Sequence, residues 1–180
     1  MRINLIAAVS RNGGIGINNK LPWEYLCDMK YFFKQTTHLN KKKRENGRYS
    51  NALLMGSNTF NSFDTPLPYR DHFILSKKHH SPRNFTTNYG VYCMYVNNLY
   101  TCIQNCKGDG YETLWCIGGS QIYKHALDRI IFDEVHITYI DRNYDCDAFF
   151  PELPKEYKLH DKVSTKEKNT NILFQTYRPI

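Results

Sequence analysis

Short apolar runs that alternate with helical patterns constrain the fold of this chain most strongly. Residues 3–9 (INLIAAV) and 113–117 (TLWCI) are nearly continuous apolar runs, as expected of strands buried on both faces. Further strands are predicted at residues 52–55, 73–75, 91–95 and 135–140, with a β-hairpin over 157–177 that turns near 166–169. Helical patterns lie between the strands at residues 23–36, which follow Pro22, and at 59–63, 99–106 and 121–127. The alternation predicts an α/β sandwich around a largely parallel sheet, to which the late strands add antiparallel partners.

The composition is that of one globular domain, which we expect to span residues 1–180. Hydrophobic residues make up 41% of the chain and charged residues 23%, enough apolar material for one buried core. No stretch approaches the ~18 uncharged apolar residues of a membrane helix. Arg2 and Asn4 interrupt the N-terminus where a signal peptide would have its apolar centre. We therefore expect neither a membrane protein nor a secreted one.

The positive charge is concentrated in one segment. The formal net charge is +7, and residues 41–48 (KKKRENGR) contribute +4 of it, so the rest of the chain is only moderately basic. The segment is typical of a solvated loop; the alternatives are a localisation signal or an anion-binding patch. A nucleic-acid footprint spread over the fold is weakly supported, and no DNA partner is expected. A moderately positive chain suits small anionic substrates.

Six cysteines favour a reduced, cytoplasmic protein. Cys116 lies inside an apolar strand, where a thiol packs as a small hydrophobic group. Cys102 and Cys106 are one helical turn apart, but no second Cys/His pair at zinc spacing completes a site. We therefore expect no metal centre.

Three predicted strands end in small residues that lead toward helices. These turns are Met55-Gly56-Ser57-Asn58-Thr59, Leu75-Ser76-Lys77-Lys78 and Ile117-Gly118-Gly119-Ser120-Gln121. Glycine allows a ligand to approach the backbone closely, and the N-terminus of a helix presents free N–H groups to phosphate. Three such turns favour a cofactor that carries phosphate. None of them matches the Rossmann fingerprint or the phosphate loop of nucleotidases.

Asp28 is an acid in an otherwise apolar helix. Asp28 and Phe32 share one helical face, with Leu26 and Met29 beside them. The carboxylate either caps the first turn of the helix or faces a pocket. In a pocket lined by Phe and Met its pKa would be raised, and it would pair with the amidine-like N–H edge of a heterocycle.

Together, several motifs resemble the dihydrofolate reductase family. Ala7-Ala8-Val9, Gly14-Ile15-Gly16, Leu21-Pro22-Trp23 and Asp28 are followed, in the family's order and spacing, by motifs through to residue 151. The later motifs are Met55-Gly56-x-x-Thr59 with Ser62, Pro66-Leu67-x-x-Arg70, Ile74-Leu75-Ser76, Ile117-Gly118-Gly119-x-x-x-Tyr123 and Asp147-x-x-Phe150-Pro151. The resemblance implies a three-layer α/β fold with a mixed, mostly parallel sheet of eight strands, about four helices and a C-terminal antiparallel hairpin. It also implies reduction of 7,8-dihydrofolate to tetrahydrofolate by NADPH, in support of one-carbon metabolism, and binding of antifolate inhibitors. We expect a monomer.

The resemblance also implies roles for individual residues. Asp28 would bind the pterin N–H and 2-amino groups and promote protonation of N5, with hydride passing to C6. The residues implied to be catalytic are Asp28, Trp23, Tyr123 and Thr138. Those implied to bind the substrate are Ile6, Ala7, Asp28, Met29, Phe32, Phe33, Ser62, Phe63, Leu67, Arg70, Ile117 and Thr138, with Arg70 clamping the α-carboxylate of the glutamate.

The cofactor residues follow from the same resemblance, which also implies a cis peptide between Gly118 and Gly119. They are Ala8, Ile15, Gly16, Asn18, Lys20, Gly56, Ser57, Asn58, Thr59, Leu75, Ser76, Lys77, Lys78, Gly118, Gly119, Ser120, Gln121 and Ile122. The segment through Lys20 would close over the nicotinamide.

The chain departs from the family pattern at a few positions. Ser57 and Asn58 stand where most relatives have Arg or Lys against the 2′-phosphate of NADPH, so Lys77 or Lys78 would have to supply that charge. Phe63 replaces a smaller aliphatic residue at the pocket entrance, and Tyr69 stands where relatives often have Gly, a turn position that needs a positive φ.

Three alternatives stay open on the sequence. One is a reductase of the same fold that acts on another heterocycle, such as the pyrimidine reductases of riboflavin synthesis, although Asp28 with Arg70 argues for a pterin joined to glutamate. Another is an RNA-binding role for residues 41–48. The third is a non-catalytic relative.

Overall fold

Eleven strands and four helices make up the part of the chain that the computed structural model describes, residues 1–39, 41–78 and 83–180. The helices are α1 (Leu26–Thr36), α2 (Ser57–Asn61), α3 (Leu99–Gly108) and α4 (Ser120–Leu127). The strands are β1 (Arg2–Ser10), β2 (Gly14–Gly16), β3 (Asn51–Gly56), β4 (Asp71–Leu75), β5 (Arg83–Thr86), β6 (Tyr92–Val96), β7 (Thr113–Gly118), β8 (Glu134–Ile140), β9 (Ala148–Phe149), β10 (Tyr157–Glu167) and β11 (Thr170–Pro179). The predicted alternation of strands and helices is confirmed.

The main sheet is mixed and mostly parallel. Its strands lie in the order β10-β11-β8-β1-β7-β3-β4-β6-β5, and the six from β8 to β6 run parallel. The hairpin of β10 and β11 joins antiparallel to β8. The described sheet has nine strands rather than eight, because β5 pairs antiparallel with β6 at the far edge. Strands β2 and β9 form a separate small ribbon.

The sheet has a core on each face. Alternate side chains of a strand point to opposite faces, so Leu5 and Ala7 of β1 pack with α3 on one side while Ile6 packs with residues of α1 on the other. The predicted three-layer α/β fold is therefore confirmed. Among the described residues, no helix has the length and apolar character needed to cross a membrane.

The first helix begins three residues later than predicted. Residues 23–25 precede α1, whose N-cap is Tyr25 in an extended conformation, so Pro22 does not start the helix. The short strands β2, β5 and β9 were not predicted, because segments of two to four residues carry too little periodicity.

The basic segment 41–48 is a solvent-exposed loop anchored by two arginines. Six of its eight residues are exposed and none lies in a helix or strand, so the prediction of a solvated loop is confirmed. Arg44 Nη1 donates hydrogen bonds to the carbonyl oxygens of Asp109 (3.0 Å) and Gly110 (2.7 Å). The Arg48 guanidinium lies 3.2 Å from the centroid of the Tyr92 ring.

Candidate active site

One face of α1 carries the groups at both ends of the candidate site. Asp28, Phe32 and Thr36 are four residues apart and therefore share a face. At 1.5 Å per residue, Asp28 and Thr36 are roughly 12 Å apart along the helix axis. Arg70 Nη1 donates a 2.8 Å hydrogen bond to Thr36 Oγ1. A carboxyl group and a guanidinium thus mark the two ends of one helical face, with an aromatic ring between them.

Asp28 is buried, with 7% of its surface exposed. Burial raises its pKa to about 6, and the charge of Glu167 adds to this, while the side chains of Thr138 and Trp23 lower the pKa. The indole Nε1 of Trp23 is buried and has no partner at hydrogen-bonding distance among the described residues. The Trp23 N–H is therefore available to donate a hydrogen bond to a ligand or a bound water.

The start of α1 is held by a carboxylate from the C-terminal hairpin. The side chain of Tyr25 does not cap the helix. Instead, Glu167 accepts hydrogen bonds from the backbone N–H groups of Leu26 and Cys27, each 2.9 Å long. These bonds lower the pKa of Glu167 to about 2. Glu167 therefore fixes the end of the helix that carries Asp28, and no residue near Leu26 in the chain signals this remote cap.

A second polar network anchors the middle of α1 to the sheet. The hydroxyl of Tyr31 lies 2.8 Å from His136 Nδ1, and His136 Nε2 lies 2.9 Å from Glu134 Oε2. Arg178 donates to Glu134 Oε1 from Nε (3.0 Å) and Nη2 (2.7 Å). This contact between α1 and β8 was not predicted, because neither Tyr31 nor His136 belongs to a recognisable motif.

Arg70 is a buried cation without an anionic partner. Only 1% of its surface is exposed, and it forms no ion pair with any described residue. Its Nε is buried without a hydrogen-bond partner among those residues. The guanidinium carbon lies 5.8 Å from the ring centroid of Phe32 and 5.2 Å from that of Phe33. Burial lowers the pKa of Arg70 to about 10, so the guanidinium stays charged at neutral pH and is poised for an anion.

The turn before Arg70 and the strand after it hold it in place. Tyr69 has a φ of +68°, as predicted for this turn. The next residue, Asp71, accepts hydrogen bonds from the backbone of Tyr49 (2.9 Å) and Tyr92 (3.1 Å) and from the Tyr111 hydroxyl (2.9 Å). The Asp71 carboxylate is occupied by these three donors, and it therefore forms no ion pair with Arg70.

The floor of the cleft is formed by β1 and β7. Ile6 and Ile117 belong to the core on the α1 side of the sheet. The Tyr123 hydroxyl donates a 2.7 Å hydrogen bond to the Ile6 carbonyl oxygen. Ala7 packs in the opposite layer, so only its backbone borders the cleft. Thr138 is buried on β8.

The outer wall is less uniform. Phe32, Phe33, Ser62, Phe63 and Leu67 are half-buried around the cleft. Met29 is 60% exposed on α1. Phe32, Phe63 and Leu67 pack against the core cluster that contains Ile6 and Ile117, whereas Met29 is exposed to solvent.

Two glycine turns meet at the carboxyl ends of neighbouring strands. A Cβ on Gly56 would lie 3.0 Å from Ile122 Cγ1, and one on Gly119 would lie 3.4 Å from Thr59 Oγ1. The N-terminal ends of α2 and α4 are therefore close together, because β3 and β7 are adjacent in the sheet. The peptide between Gly118 and Gly119 is cis. The predicted cofactor residues that lie on these two turns are Gly56, Ser57, Asn58, Thr59, Gly118, Gly119, Ser120, Gln121 and Ile122.

The remaining predicted cofactor residues come from β1, from the loop after it and from the end of β4. Asp147 ties the loop down: it accepts a hydrogen bond from Asn18 N (2.9 Å) and donates its own N–H to the Gly16 carbonyl (3.0 Å). Lys77 and Lys78 are exposed directly after β4. The full set is Ala8, Ile15, Gly16, Asn18, Lys20, Leu75, Ser76, Lys77 and Lys78.

The fold and this site define an α/β protein in which a helix carrying a buried carboxyl group and holding a buried guanidinium packs on the sheet, and two glycine turns meet at the carboxyl ends of neighbouring strands. A family model described as dihydrofolate reductase matches residues 2–178. The dihydrofolate reductase of Heliothis virescens is 30% identical over 190 residues, covering 100% of this chain and 98% of that protein. That of Aedes albopictus is 32% identical over 161 residues (88% and 83%), and that of Sus scrofa is 30% identical over 190 residues (97% and 96%).

The chain belongs to the dihydrofolate reductase family. It is an oxidoreductase of that family, and membership implies a nicotinamide cofactor and a small-molecule substrate.

Proposed function

We propose that this chain reduces 7,8-dihydrofolate to 5,6,7,8-tetrahydrofolate with NADPH, in support of one-carbon metabolism and of thymidylate and purine synthesis. The observation that carries the proposal is a buried arginine without an anionic partner at one end of the α1 face whose other end carries the buried Asp28. A pterin joined through a benzoyl group to glutamate offers N–H donors at one end, an apolar ring in the middle and a carboxylate at the other. The roughly 12 Å along α1 matches such an elongated ligand.

Asp28 is proposed to bind the pterin and to promote its protonation. Its carboxylate accepts hydrogen bonds from the pterin ring N–H and 2-amino group and promotes protonation of N5. A pKa of about 6 keeps a useful fraction of the carboxyl protonated near neutral pH. The Thr138 side chain lowers the pKa of the Asp28 carboxyl, and the buried Trp23 N–H is free to donate to a ligand or a bound water. Tyr123 fixes the backbone of β1 through its bond to the Ile6 carbonyl oxygen. Bound NADPH supplies the hydride that is transferred to C6.

The residues at the glycine-lined edge fit a dinucleotide. Gly56 and Gly119 let the two turns approach each other closely, because a Cβ there would meet Ile122 or Thr59. Backbone N–H groups at the start of α4 are available to an anion. Ala8, Ile15 and Gly16 would border the nicotinamide, and Ser76 with Lys77 would border the adenosine side.

Preference for NADPH over NADH is assigned to Lys77, because Ser57 and Asn58 carry no charge. We expect Lys77→Ala to raise the Kd for NADPH about tenfold and to leave the Kd for NADH nearly unchanged, as measured by fluorescence titration. Equal losses for the two cofactors would refute the assignment.

The proposal extends to the domain organisation, the cellular compartment, the inhibitors and the oligomeric state of the enzyme. We propose one domain over residues 1–180, supported by the nine-stranded sheet, which combines the first strand, β1, with the last, β11. All six cysteines, each within the described residues, are free thiols, which supports a reduced, cytoplasmic compartment. Antifolates that present an amidine-like edge would compete for Asp28. We propose a monomer.

The test is oxidation of NADPH on addition of 7,8-dihydrofolate, with tetrahydrofolate formed in equal amount. We expect rapid turnover by the native chain and a large loss in Asp28→Asn at neutral pH. A folded chain that oxidises no NADPH with dihydrofolate would overturn the proposal.

A further inference from the structure

The basic segment 41–48 brings a second cation to the rings of Phe33 and Tyr69 beside Arg70, which we term the pocket mouth. The Lys41 ammonium lies 5.0 Å from the ring centroid of Phe33, and the Arg70 guanidinium carbon lies 5.2 Å from the same centroid. The two cations are therefore no more than about 10 Å apart. Arg70 is buried whereas Lys41 is exposed, so Lys41 lies on the solvent side of the pocket.

Aromatic rings hold Lys41 at this place. Its ammonium also lies 5.6 Å from the ring centroid of Tyr69, and the rings of Tyr69 and Phe33 meet edge to face at 6.2 Å. The left-handed backbone of Tyr69, next to Arg70, sets the direction of that ring. The end of the segment is anchored through Arg44 and its carbonyl partners. Lys41 is thus held at the pocket mouth by its contacts with two aromatic rings.

We propose that Lys41 is a specificity residue that binds carboxylates of the substrate tail beyond the one held by Arg70. The inference rests on the proposed function. With the α-carboxylate of the first glutamate on Arg70, the γ-carboxyl end points out of the pocket, and each γ-linked glutamate added there brings another carboxylate toward solvent. Lys41 is the cation that this part of the tail meets. The chain therefore prefers dihydrofolate with several glutamates over dihydrofolate with one.

Lys43 provides a matched control on the same segment. Its ammonium lies 5.4 Å from the Tyr49 ring centroid and reaches toward Gly90, within 3.3 Å of where a Cβ on that glycine would stand. It therefore contacts a different ring from the two that hold Lys41. Lys43→Gln removes the same charge as Lys41→Gln without touching the pocket mouth, so it separates a local contact from a change in net charge.

The test compares KM for dihydrofolate carrying one and three glutamates. At low salt we expect the native chain to have about three- to fivefold lower KM for the triglutamate, with kcat unchanged, because the contact is remote from the reacting atoms. Lys41→Gln should abolish that ratio, Lys41→Arg should restore it, and Lys43→Gln should keep it. High salt should reduce the ratio in the native chain.

The outcomes distinguish this inference from the proposed function. Native turnover of both substrates with equal KM values, or a ratio that survives in Lys41→Gln, would overturn the role of Lys41 alone. Failure of the native chain to turn over either substrate would overturn the proposed function itself.

Discussion

Replacing Arg70 with methionine should make the protein more stable and less able to bind its substrate. Burial moves the pKa of Arg70 from its usual 12.5 to about 10, which corresponds to roughly 3 kcal/mol against the charged form. Removing the guanidinium also loses the bond to Thr36, about 1 kcal/mol, and contacts with two phenyl rings, about 1 kcal/mol together. The net expectation is a gain of about 1 kcal/mol, or roughly 2–4 °C in Tm.

This gain should not depend on pH over the neutral range. The folded-state pKa of Arg70 is lowered, so the penalty on its charged form is fully present at every pH below about 10. Thermal unfolding at pH 6 and pH 8 should therefore give the same difference between Arg70→Met and the native chain.

The functional loss should be much larger than the gain in stability. A bidentate bond between guanidinium and carboxylate in a buried site contributes about 3–4 kcal/mol, so kcat/KM for dihydrofolate should fall by roughly 10²–10³. Steady-state kinetics with Arg48→Met as a control arginine outside the cleft measures this. An Arg70→Met protein that is less stable and keeps its KM would refute the reasoning, because Arg70 would then be a structural residue.

Three further predictions test other parts of the site. Asp28→Asn should raise the free energy of unfolding by up to about 3 kcal/mol at pH 8 but hardly at pH 4. The reason is that burial penalises the charged carboxylate, and this penalty builds up between the ordinary pKa of 3.8 and the folded-state pKa of about 6. Denaturant unfolding at both pH values checks this, and an equal gain at both would contradict it. Glu167→Gln should lower Tm at pH 7 through the loss of charge at the start of α1, and the difference should shrink as pH falls from about 4 toward 2, where Glu167 itself becomes protonated; a constant difference in thermal melts would count against the cap. Gly118→Ala should destabilise the fold by roughly 2–4 kcal/mol, because a Cβ at φ +100° would come 2.6 Å from the Tyr123 ring; unchanged denaturant unfolding would exclude that contact.

Strands and helices that are specified by an uninterrupted local pattern of apolar residues were predictable from the sequence. Strands β1 and β7 are long apolar runs without competing patterns, and the hairpin of β10 and β11 was placed with its turn. The start of α1 was not predictable, because residues 23–25 carry no helix stop signal and the carboxylate that caps the first turn comes from Glu167, far along the chain. Partners of this kind depend on how the hairpin is placed against β8, which periodicity does not encode.

The family motifs predicted Asp28 and Arg70 as site residues, and helical spacing predicted that Asp28 and Phe32 share a face. The surroundings of these residues could not be predicted from the sequence. That Arg70 lacks an anion was not predictable, because this depends on Asp71 binding three other donors. The polar contact between Tyr31 and His136 was hidden for a similar reason: each residue alone is typical of ordinary core positions.

The most direct test of the account is the pH dependence of hydride transfer from NADPH to dihydrofolate, measured in a single turnover. With Asp28 as the group that promotes protonation of N5, the rate should be highest below pH 6 and fall about tenfold per pH unit well above it, following a pKa near 6. In Asp28→Asn the rate should be low and lose this dependence. A native rate that stays constant from pH 5 to pH 9, or an Asp28→Asn rate with the native profile, would contradict the central role assigned to Asp28.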